Sequence, residues 1–211
     1  PDSRPSHESL IDIELGYRYS SETVSISANF YNMHYNNQLI LTGELNDVGS
    51  AVRVNIPDSY RRGVELTGSF QLMDRLLWRL NATFSENKIA EFNEFIDNWD
   101  TGVKDSVTHT NTNIAFSPSI TGGSQLIFTP FNSVENGKLD LALVTKYVGD
   151  QFIDNTSSEY AKLDAYLVND FRVSYTVKTK LFKEIVISSW VRNLFNQNYI
   201  SNAWVYRFNT T

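Results

Sequence analysis

The chain has 211 residues, enough for one sizeable domain or for part of a larger one. Its formal net charge of −6 at pH 7 argues against a protein that binds nucleic acid without sequence preference, because such proteins carry a basic surface. It has no cysteine, which excludes both a disulfide framework and a thiolate metal site.

Alternation of apolar and polar residues dominates the sequence. In the stretch SYRRGVELTGSFQL, residues 59–72, the even positions hold nearly all the apolar side chains and the odd positions hold none that is large. Strict alternation predicts a β-strand with one apolar and one polar face. Applied along the chain, the pattern predicts an all-β protein. Its eight strands cover residues 8–20, 23–41, 59–72, 75–87, 117–131, 138–150, 165–178 and 183–195.

The second strand changes phase in its middle. Its apolar residues occupy even positions as far as Phe30 and then odd positions, at Tyr31, Met33 and Tyr35. One extra residue in one strand of a pair produces such a shift, so we expect a β-bulge at this point.

Short and long connections alternate along the chain. Those after the first, third, fifth and seventh strands are short, whereas the others are long and polar, the longest at residues 88–116. Outer-membrane barrels show this arrangement, with short periplasmic turns and long extracellular loops. Because the first connection is short, the first strand would start outside the cell and the eighth would end there. We therefore expect these residues to be part of a larger antiparallel transmembrane β-barrel.

Two environments suit the apolar faces of the strands. A lipid-facing barrel needs 9–11 residues per strand at a tilt of about 45°, which the predicted strands supply. A soluble domain would instead bury Leu66, Trp78 and Phe171 against a second sheet. We favour the lipid-facing arrangement because the polar faces carry charges that suit a hydrated lumen: Glu14, Arg18, Glu65, Arg79, Asp170 and Arg172. The aromatic residues expected at the membrane interfaces are Tyr17, Tyr19, Tyr60, Trp78 and Tyr175.

Three motifs occur in order along the chain: ESLIDIELGYRY, SYRRGVELTGSF, and LDAYLVNDFRVSY followed by VISSWVRNLFNQNYI. In order and spacing they resemble the C-terminal barrel of TonB-dependent outer-membrane receptors. The residues that carry the resemblance are Glu14, Gly16 and Tyr17; Gly63, Val64 and Glu65; and Val191, Asn193, Leu194, Phe195, Asn196 and Tyr199.

The resemblance implies a 22-stranded barrel around an N-terminal plug domain. Residues 1–211 would be about strands 14 to 21 and the start of the last extracellular loop, with the plug and the final strand absent. Such a receptor sits among outer-membrane lipids and binds a scarce nutrient, such as a siderophore or another iron chelate, a vitamin, a glycan or a peptide. It imports this nutrient with energy from TonB, which would act through the absent N-terminal region. A surface lipoprotein is a further partner open to it, and nucleic acid is not.

Candidate ligand-binding residues lie in two predicted extracellular segments. Asp97, Trp99, Asp100 and His109 belong to the longest loop, and long loops often carry recognition. The segment DNWDTG has the glycine of a calcium loop, but Trp99 stands where an oxygen ligand is required, so we favour a solvated acidic loop. In the tail, Trp204 and Tyr206 would stack on a substrate or, with Phe208, belong to the outer aromatic belt; we favour the belt.

The remaining candidates suggest structural roles. We expect Gly63 to relieve crowding on the lumenal face and Arg61 and Arg62 to lie at the membrane interface. Glu65 is expected to pair with Arg61 or Arg79. His7, His34 and His109 show no metal-ligand spacing, and no nucleophile–base motif occurs. We therefore expect no enzyme, no metal site and no cofactor.

Two other functions stay open. One is a small self-contained outer-membrane barrel that acts as an adhesin, although its first connection should be a long one. The other is a soluble all-β ligand-binding domain.

Overall fold

The computed structural model describes residues 5–45, 51–133, 137–179 and 181–210. Strands account for most of this chain, and one short 3-10 turn lies at Glu159–Ala161. No helix among the described residues is long and apolar enough to cross a membrane. The strands are β1 (Ser9–Ser20), β2 (Val24–Leu45), β3 (Ala51–Met73), β4 (Leu76–Asn98), β5 (Lys104–Asn113), β6 (Ile120–Ser133), β7 (Gly137–Val148), β8 (Gln151–Phe152), β9 (Lys162–Leu163), β10 (Tyr166–Val177), β11 (Ile185–Val191) and β12 (Phe208–Asn209).

Eight strands form one antiparallel sheet in the order β1-β2-β3-β4-β6-β7-β10-β11. Each of the eight predicted strands corresponds to one of them, which confirms the all-β prediction. The sheet is a meander, because every strand pairs with the next one along this path. β5 and β12 pair with β4 outside the path, and β8 and β9 form a separate pair.

The predicted loop at residues 88–116 is wrong, because most of it is a β-hairpin. β4 continues to Asn98 and β5 returns beside it, paired from Asp97↔Lys104 to Lys88↔Asn113. The polar loop predicted after the second strand is also largely strand, since β2 continues to Leu45 and β3 begins at Ala51. Alternation did not predict these two extensions, because they contain many polar side chains. A hairpin in water needs no continuous apolar face.

The predicted bulge near Phe30 is wrong as well. The pairing of β2 with β1 runs unbroken from Ser20↔Ser25 to Ser9↔Asn36. Tyr31 and Met33 therefore lie on the polar face of the sheet, beside Gly63 and Arg61. Large side chains fit on that face because Gly63 has no side chain. The phase change of the apolar residues in the sequence reflects this packing. The shift in the β2–β3 register lies farther along, between Leu41 and Leu45.

One face of the sheet is a continuous apolar surface. Residues paired directly across antiparallel strands share a face, and one such row crosses five strands: Leu15, Phe30, Val64, Phe84 and Ile120. Leu66 and Trp78 are 38% and 37% exposed, which contradicts their expected burial in a soluble core. Another row, from β6 to β11, contains Leu126, Leu143, Phe171 and Val191.

The apolar surface ends in charged residues at the end of the sheet that has the long connections. There Arg62 donates two hydrogen bonds to Glu86, of 2.8 and 2.5 Å, and lies over the ring of Tyr60. The opposite end carries Phe70, Leu72 and Trp78. Between Arg62 and Leu72, β3 rises about 3.3 Å per residue, which at a tilt of about 45° gives an apolar band roughly 23 Å high. Arg62 thus lies at the boundary of the band, as expected for a residue at the membrane interface.

A small apolar core lies beyond this band, at the end with the long connections. Ile40 of β2, Ile56 of β3, and Ile89 and Phe92 of β4 pack with Ile114, and all five are buried. This core attaches the β4–β5 hairpin to the β2–β3 hairpin. It therefore holds in place the segments that form the candidate site.

Gly63 allows β3 and β4 to approach closely. A Cβ atom there would overlap the carbonyl oxygen of Phe84, and would lie 2.8 Å from the Tyr31 hydroxyl and 3.0 Å from Ser85 Cα. Two of these are backbone atoms, which cannot move aside without disturbing the strand. The expected relief of crowding therefore has a specific cause in the structure.

We expect Gly63→Ala to destabilise the barrel by about 1–3 kcal/mol, the usual cost of overpacking. Gly16→Ala is the matched control, because it lies on the same face and its Cβ would be 3.5 Å from the nearest atom, an ordinary contact. Denaturant unfolding of the full-length protein in detergent measures both. Equal stability of the two variants would contradict this account of Gly63.

Candidate functional site

A chamber lies on the polar face, beneath a shelf that the chain forms between β5 and β6. β5 pairs with one part of β4, and β6 pairs with the next part. The residues between β5 and β6 therefore bulge away from β4. Hydrogen bonds from Ile114 N to Asn87 O (3.2 Å) and from Ser85 N to Ser119 O (2.8 Å) close the two ends of the bulge. Phe116 lies at its tip with a φ of 51°, a strained conformation for this residue. Its amide donates to Phe152 O at 2.8 Å, which ties the shelf to the β7–β10 connection.

The chamber has a volume of about 330 Å³ and a mixed lining. Tyr31, Met33 and Phe116 provide apolar surface, whereas Glu14 and Glu65 provide carboxylates. Arg61 donates a 3.0 Å hydrogen bond to Ser117 of the shelf, so it faces the chamber and not the membrane interface. Among the ion pairs of the described residues, none joins Glu65 to Arg61 or Arg79, so the expected pairing is not found. Asn29, Thr83, Ser85, Asn87, Pro118 and Thr121 complete the lining.

A second feature, which we call the clasp, joins residues 204–209 of the tail to the β4–β5 hairpin and to residues 154–156. β12 pairs in parallel with the end of β4, at Phe208↔Asp97 and Asn209↔Asn98. The rings of Trp99 and Phe208 stack with centroids 4.2 Å apart and an interplanar angle of 9°. The amide of Trp99 donates to Asn209 O at 3.1 Å, so backbone and side chains hold the tail together.

Polar side chains reinforce this contact. The Tyr206 hydroxyl donates to Asp97 Oδ2 at 2.7 Å, and this bond raises the pKa of Tyr206. Its stabilising contribution is thus present below about pH 10 and is lost only as the pH rises through the raised pKa. Asn209 and Asn98 donate to Asp105 Oδ2 at 2.7 and 3.0 Å, which lowers the pKa of Asp105. That contribution persists in acid until the pH falls through the lowered pKa.

Arg207 is the centre of the clasp. Its Nη1 donates to Glu94 Oε1 at 2.6 Å, and its Nη2 forms an ion pair with Asp154 Oδ2 at 2.6 Å and donates to Thr156 Oγ1 at 3.2 Å. The carboxylate side chains are only 11% and 10% exposed. Burial alone would lower the pKa of Arg207, but its hydrogen bond to Glu94 and the charge of Asp154 outweigh burial and raise it.

The structure brings several of the predicted ligand-binding residues together. Asp97, Trp99 and Tyr206 meet in the clasp, and Trp204 stacks on Tyr206 at 6.1 Å. His109 is adjacent, 2.9 Å from Glu94 Oε2. Asp100 lies at the hairpin turn, where its amide donates to Asn98 Oδ1 at 3.2 Å. Their role in ligand binding stays a prediction.

Sequence reasoning missed Glu94, Asp154 and Arg207, which hold the clasp together. Glu94 and Arg207 are 113 residues apart, and no local pattern connects them. No group of three or more metal-ligating residues occurs in the described parts of the chain. The DNWDTG segment is a hairpin turn, in which Asn98 Oδ1 accepts from the amides of Asp100 and Thr101, and Gly102 has a φ of 68°.

The motif residues near the end of β11 have a structural role. Asn193 has a φ of 49°, its amide donates to Asp170 Oδ1 at 2.8 Å, and the Gln197 amide donates to Asn193 Oδ1 at 2.8 Å. Leu194 N donates to Asn169 O at 2.6 Å. These bonds turn the chain away from β11, and Tyr199 then stacks on Tyr166 at 4.5 Å.

A family model described as "TonB dependent receptor-like, beta-barrel" matches residues 8–194. The chain belongs to this TonB-dependent receptor family. The match includes all eight strands of the meander and confirms the resemblance seen in the motifs. The sheet is thus part of the outer-membrane β-barrel of a TonB-dependent receptor, and its apolar face points to lipid. In outer-membrane barrels the long connections are extracellular and the polar face lines the interior, so we expect the clasp to lie outside the cell and the chamber on the inner wall.

Three solved receptor and transporter structures share this fold. The ferric yersiniabactin uptake receptor FyuA of Yersinia pestis matches with a TM-score of 0.67 and 20% identity, over 94% of this chain and 26% of that one. The ferric preacinetobactin receptor BauA of Acinetobacter baumannii gives 0.64 and 13%, over 90% and 26%. The FrpB iron transporter of Neisseria meningitidis gives 0.58 and 17%, over 95% and 28%.

These identities establish the shared fold alone. The chain spans about a quarter of the length of each of these receptors. The search among curated protein sequences found no match.

We expect Tyr206→Phe to loosen the clasp, because it removes the hydrogen bond to Asp97 but keeps the ring beside Phe208. Hydrogen exchange of residues 204–209 in the full-length receptor should become several-fold faster. Tyr160→Phe is the control, since that side chain is 99% exposed. An unchanged exchange rate in Tyr206→Phe would show that the other contacts of the clasp hold the tail without this hydrogen bond.

Proposed function

We propose that this chain is the C-terminal part of the barrel domain, about strands 14 to 21 of 22, of an outer-membrane active-transport receptor. The whole receptor binds a scarce nutrient outside the cell and imports it with energy supplied by TonB. Among the nutrient classes open to such receptors we favour a ferric siderophore, because the similar solved structures are named for ferric siderophores or iron.

The observation that carries this proposal is the contrast between the two faces of the sheet. A barrel that served only as an anchor or an adhesin has no use for an open, charged chamber on its inner wall. Here the chamber lies directly below the extracellular shelf, and its lining combines carboxylates, a guanidinium and aromatic rings. Such a mixed surface suits a solute that passes along the wall.

The edges of the sheet support a larger barrel. β1 and β11 stand at the two ends of the strand order, and each pairs with one neighbour. In hydrocarbon, unpaired backbone groups cost several kcal/mol each, so spanning sheets close on themselves. Partner strands on both sides, supplied by the rest of the receptor, would satisfy these groups.

A side chain that fills the chamber should block transport. Thr83→Trp places a large ring in the chamber, whereas Leu80→Trp, on the same strand, places it on the lipid-facing side. We expect Thr83→Trp to lower iron uptake at least several-fold and Leu80→Trp to leave it near normal. The assay measures radioactive iron entering cells that carry the full receptor as their only receptor of this family, supplied with ferric yersiniabactin and with siderophore extracts of the native host.

Both variants must first show a barrel band whose mobility changes on boiling, which establishes that they fold. Normal uptake by a folded Thr83→Trp receptor would remove the chamber from the transport path. A folded wild-type receptor that supports no energy-dependent uptake would contradict the proposed function itself.

The size of the native protein tests the proposed place of this chain. At roughly 26 residues per strand, 22 strands require about 580 residues, so the band in outer-membrane fractions should exceed about 60 kDa. An antibody against these residues, used on boiled and unboiled samples, makes the measurement. A folded barrel of much smaller mass would favour the self-contained adhesin.

A further inference from the structure

The guanidinium of Arg207 occupies a pocket of the clasp that contains two buried carboxylates. The pocket is lined by Glu94, Asp97 and Asp154 together with Thr156 and Tyr206. Glu94 and Asp154 reach it from two different segments, the β4–β5 hairpin and the β7–β10 connection. They meet only at the guanidinium, and each lies 2.6 Å from it.

Two buried carboxylates require a cation between them. Removing one partner of such a group leaves an uncompensated buried charge, which is strongly unfavourable. Thr156 Oγ1, which accepts a hydrogen bond from Arg207, and the apolar walls of Phe92 and Phe95 give the pocket a shape for a flat, donor-rich group. A guanidinium matches carboxylates in this way, and an ammonium matches them less completely.

The occupant is attached only through the tail. Residues 204–209 contact the hairpin through stacked rings, a two-residue parallel pairing, side-chain hydrogen bonds to Asp97 and Asp105, and the ion pair with Glu94. The buried apolar core beneath does not include them. These contacts can therefore open without separating the eight strands of the meander. Departure of the tail would uncover the carboxylates and free the extracellular rings of Trp99 and Tyr206.

We propose that this pocket binds a cationic group, guanidinium or ammonium, of the extracellular ligand, and that Arg207 holds the site in the ligand-free receptor. This inference rests on the proposed function and names a chemical class of ligand for it. A ligand that carries such a group replaces Arg207 between Glu94 and Asp154 and displaces the tail. Ligands without a cation leave the clasp closed.

Chemical rescue tests the site in the full-length receptor held in lipid nanodiscs. Arg207→Ala empties the pocket, and the probe is ethylguanidinium, with neutral ethylurea as its matched control at equal ionic strength. Hydrogen exchange is followed in peptides covering residues 90–99 and 152–158. We expect exchange to be faster in Arg207→Ala, and ethylguanidinium to restore slow exchange saturably while ethylurea does not.

Further variants identify the pocket as the place of rescue. Adding Glu94→Gln to Arg207→Ala should raise the required ethylguanidinium concentration about tenfold, because a charge-assisted hydrogen bond is lost. Arg207→Lys should keep slow exchange in part, through its ammonium. Arg192→Ala, which removes an exposed positive charge directly after β11, should behave as wild type.

Displacement of Arg207 from the pocket is tested in the wild-type receptor. There ethylguanidinium, at higher concentrations, should speed exchange of residues 204–210 more than ethylurea does. Equal effects of the two probes in either receptor would overturn the proposal, as would a folded Arg207→Ala receptor whose hairpin exchanges like wild type. If the chamber variant Thr83→Trp still blocks uptake, such a result contradicts the cation site but not the proposed transport function. The two conclusions are therefore tested separately.

Discussion

The rest of the structure depends on one constraint: inside a bilayer every backbone N–H and C=O must find a partner in the protein. An antiparallel meander meets this requirement strand by strand, and its alternation of side chains then gives each strand one face for lipid and one for the lumen. The row from Leu15 to Ile120 and the chamber around Glu14 and Glu65 are two sides of the same pairing. Function is therefore confined to the inner wall and to the segments beyond the band.

Outside the band, water relaxes the constraint and the fold changes character. The β4–β5 hairpin has no lipid to face, and Phe92 and Glu94 are buried while Phe95 is exposed. Charges become usable there as structural contacts, because each can be paired and partly hydrated. Arg207, Glu94 and Asp154 form such a group, and the same group inside the apolar band would face a far larger desolvation cost.

The limits of prediction from sequence follow the same boundary. Within the band, period-two alternation located all eight strands, since lipid imposes the pattern on every residue; β1 and β10 differ from their predicted bounds by at most one residue. The bulge was wrong because Tyr31 and Met33 are large residues on a polar face, and only the pairing with Gly63 shows why they fit. Beyond the band the hairpin was predicted as a loop. The clasp could not be predicted from the sequence, because Arg207 and Glu94 are 113 residues apart along the chain.

The mode of attachment of the tail decides what it can do. A segment held by a buried apolar core leaves only if that core opens, and in this sheet that would separate β4 from its neighbours. The tail is held instead by ion pairs, side-chain hydrogen bonds, a ring stack and a two-residue backbone pairing at an exposed rim. Each of these contacts has a chemical equivalent that a ligand can offer. The clasp thus combines a specific closed arrangement with a release that leaves the barrel unchanged, which is what a receptor needs at its extracellular mouth.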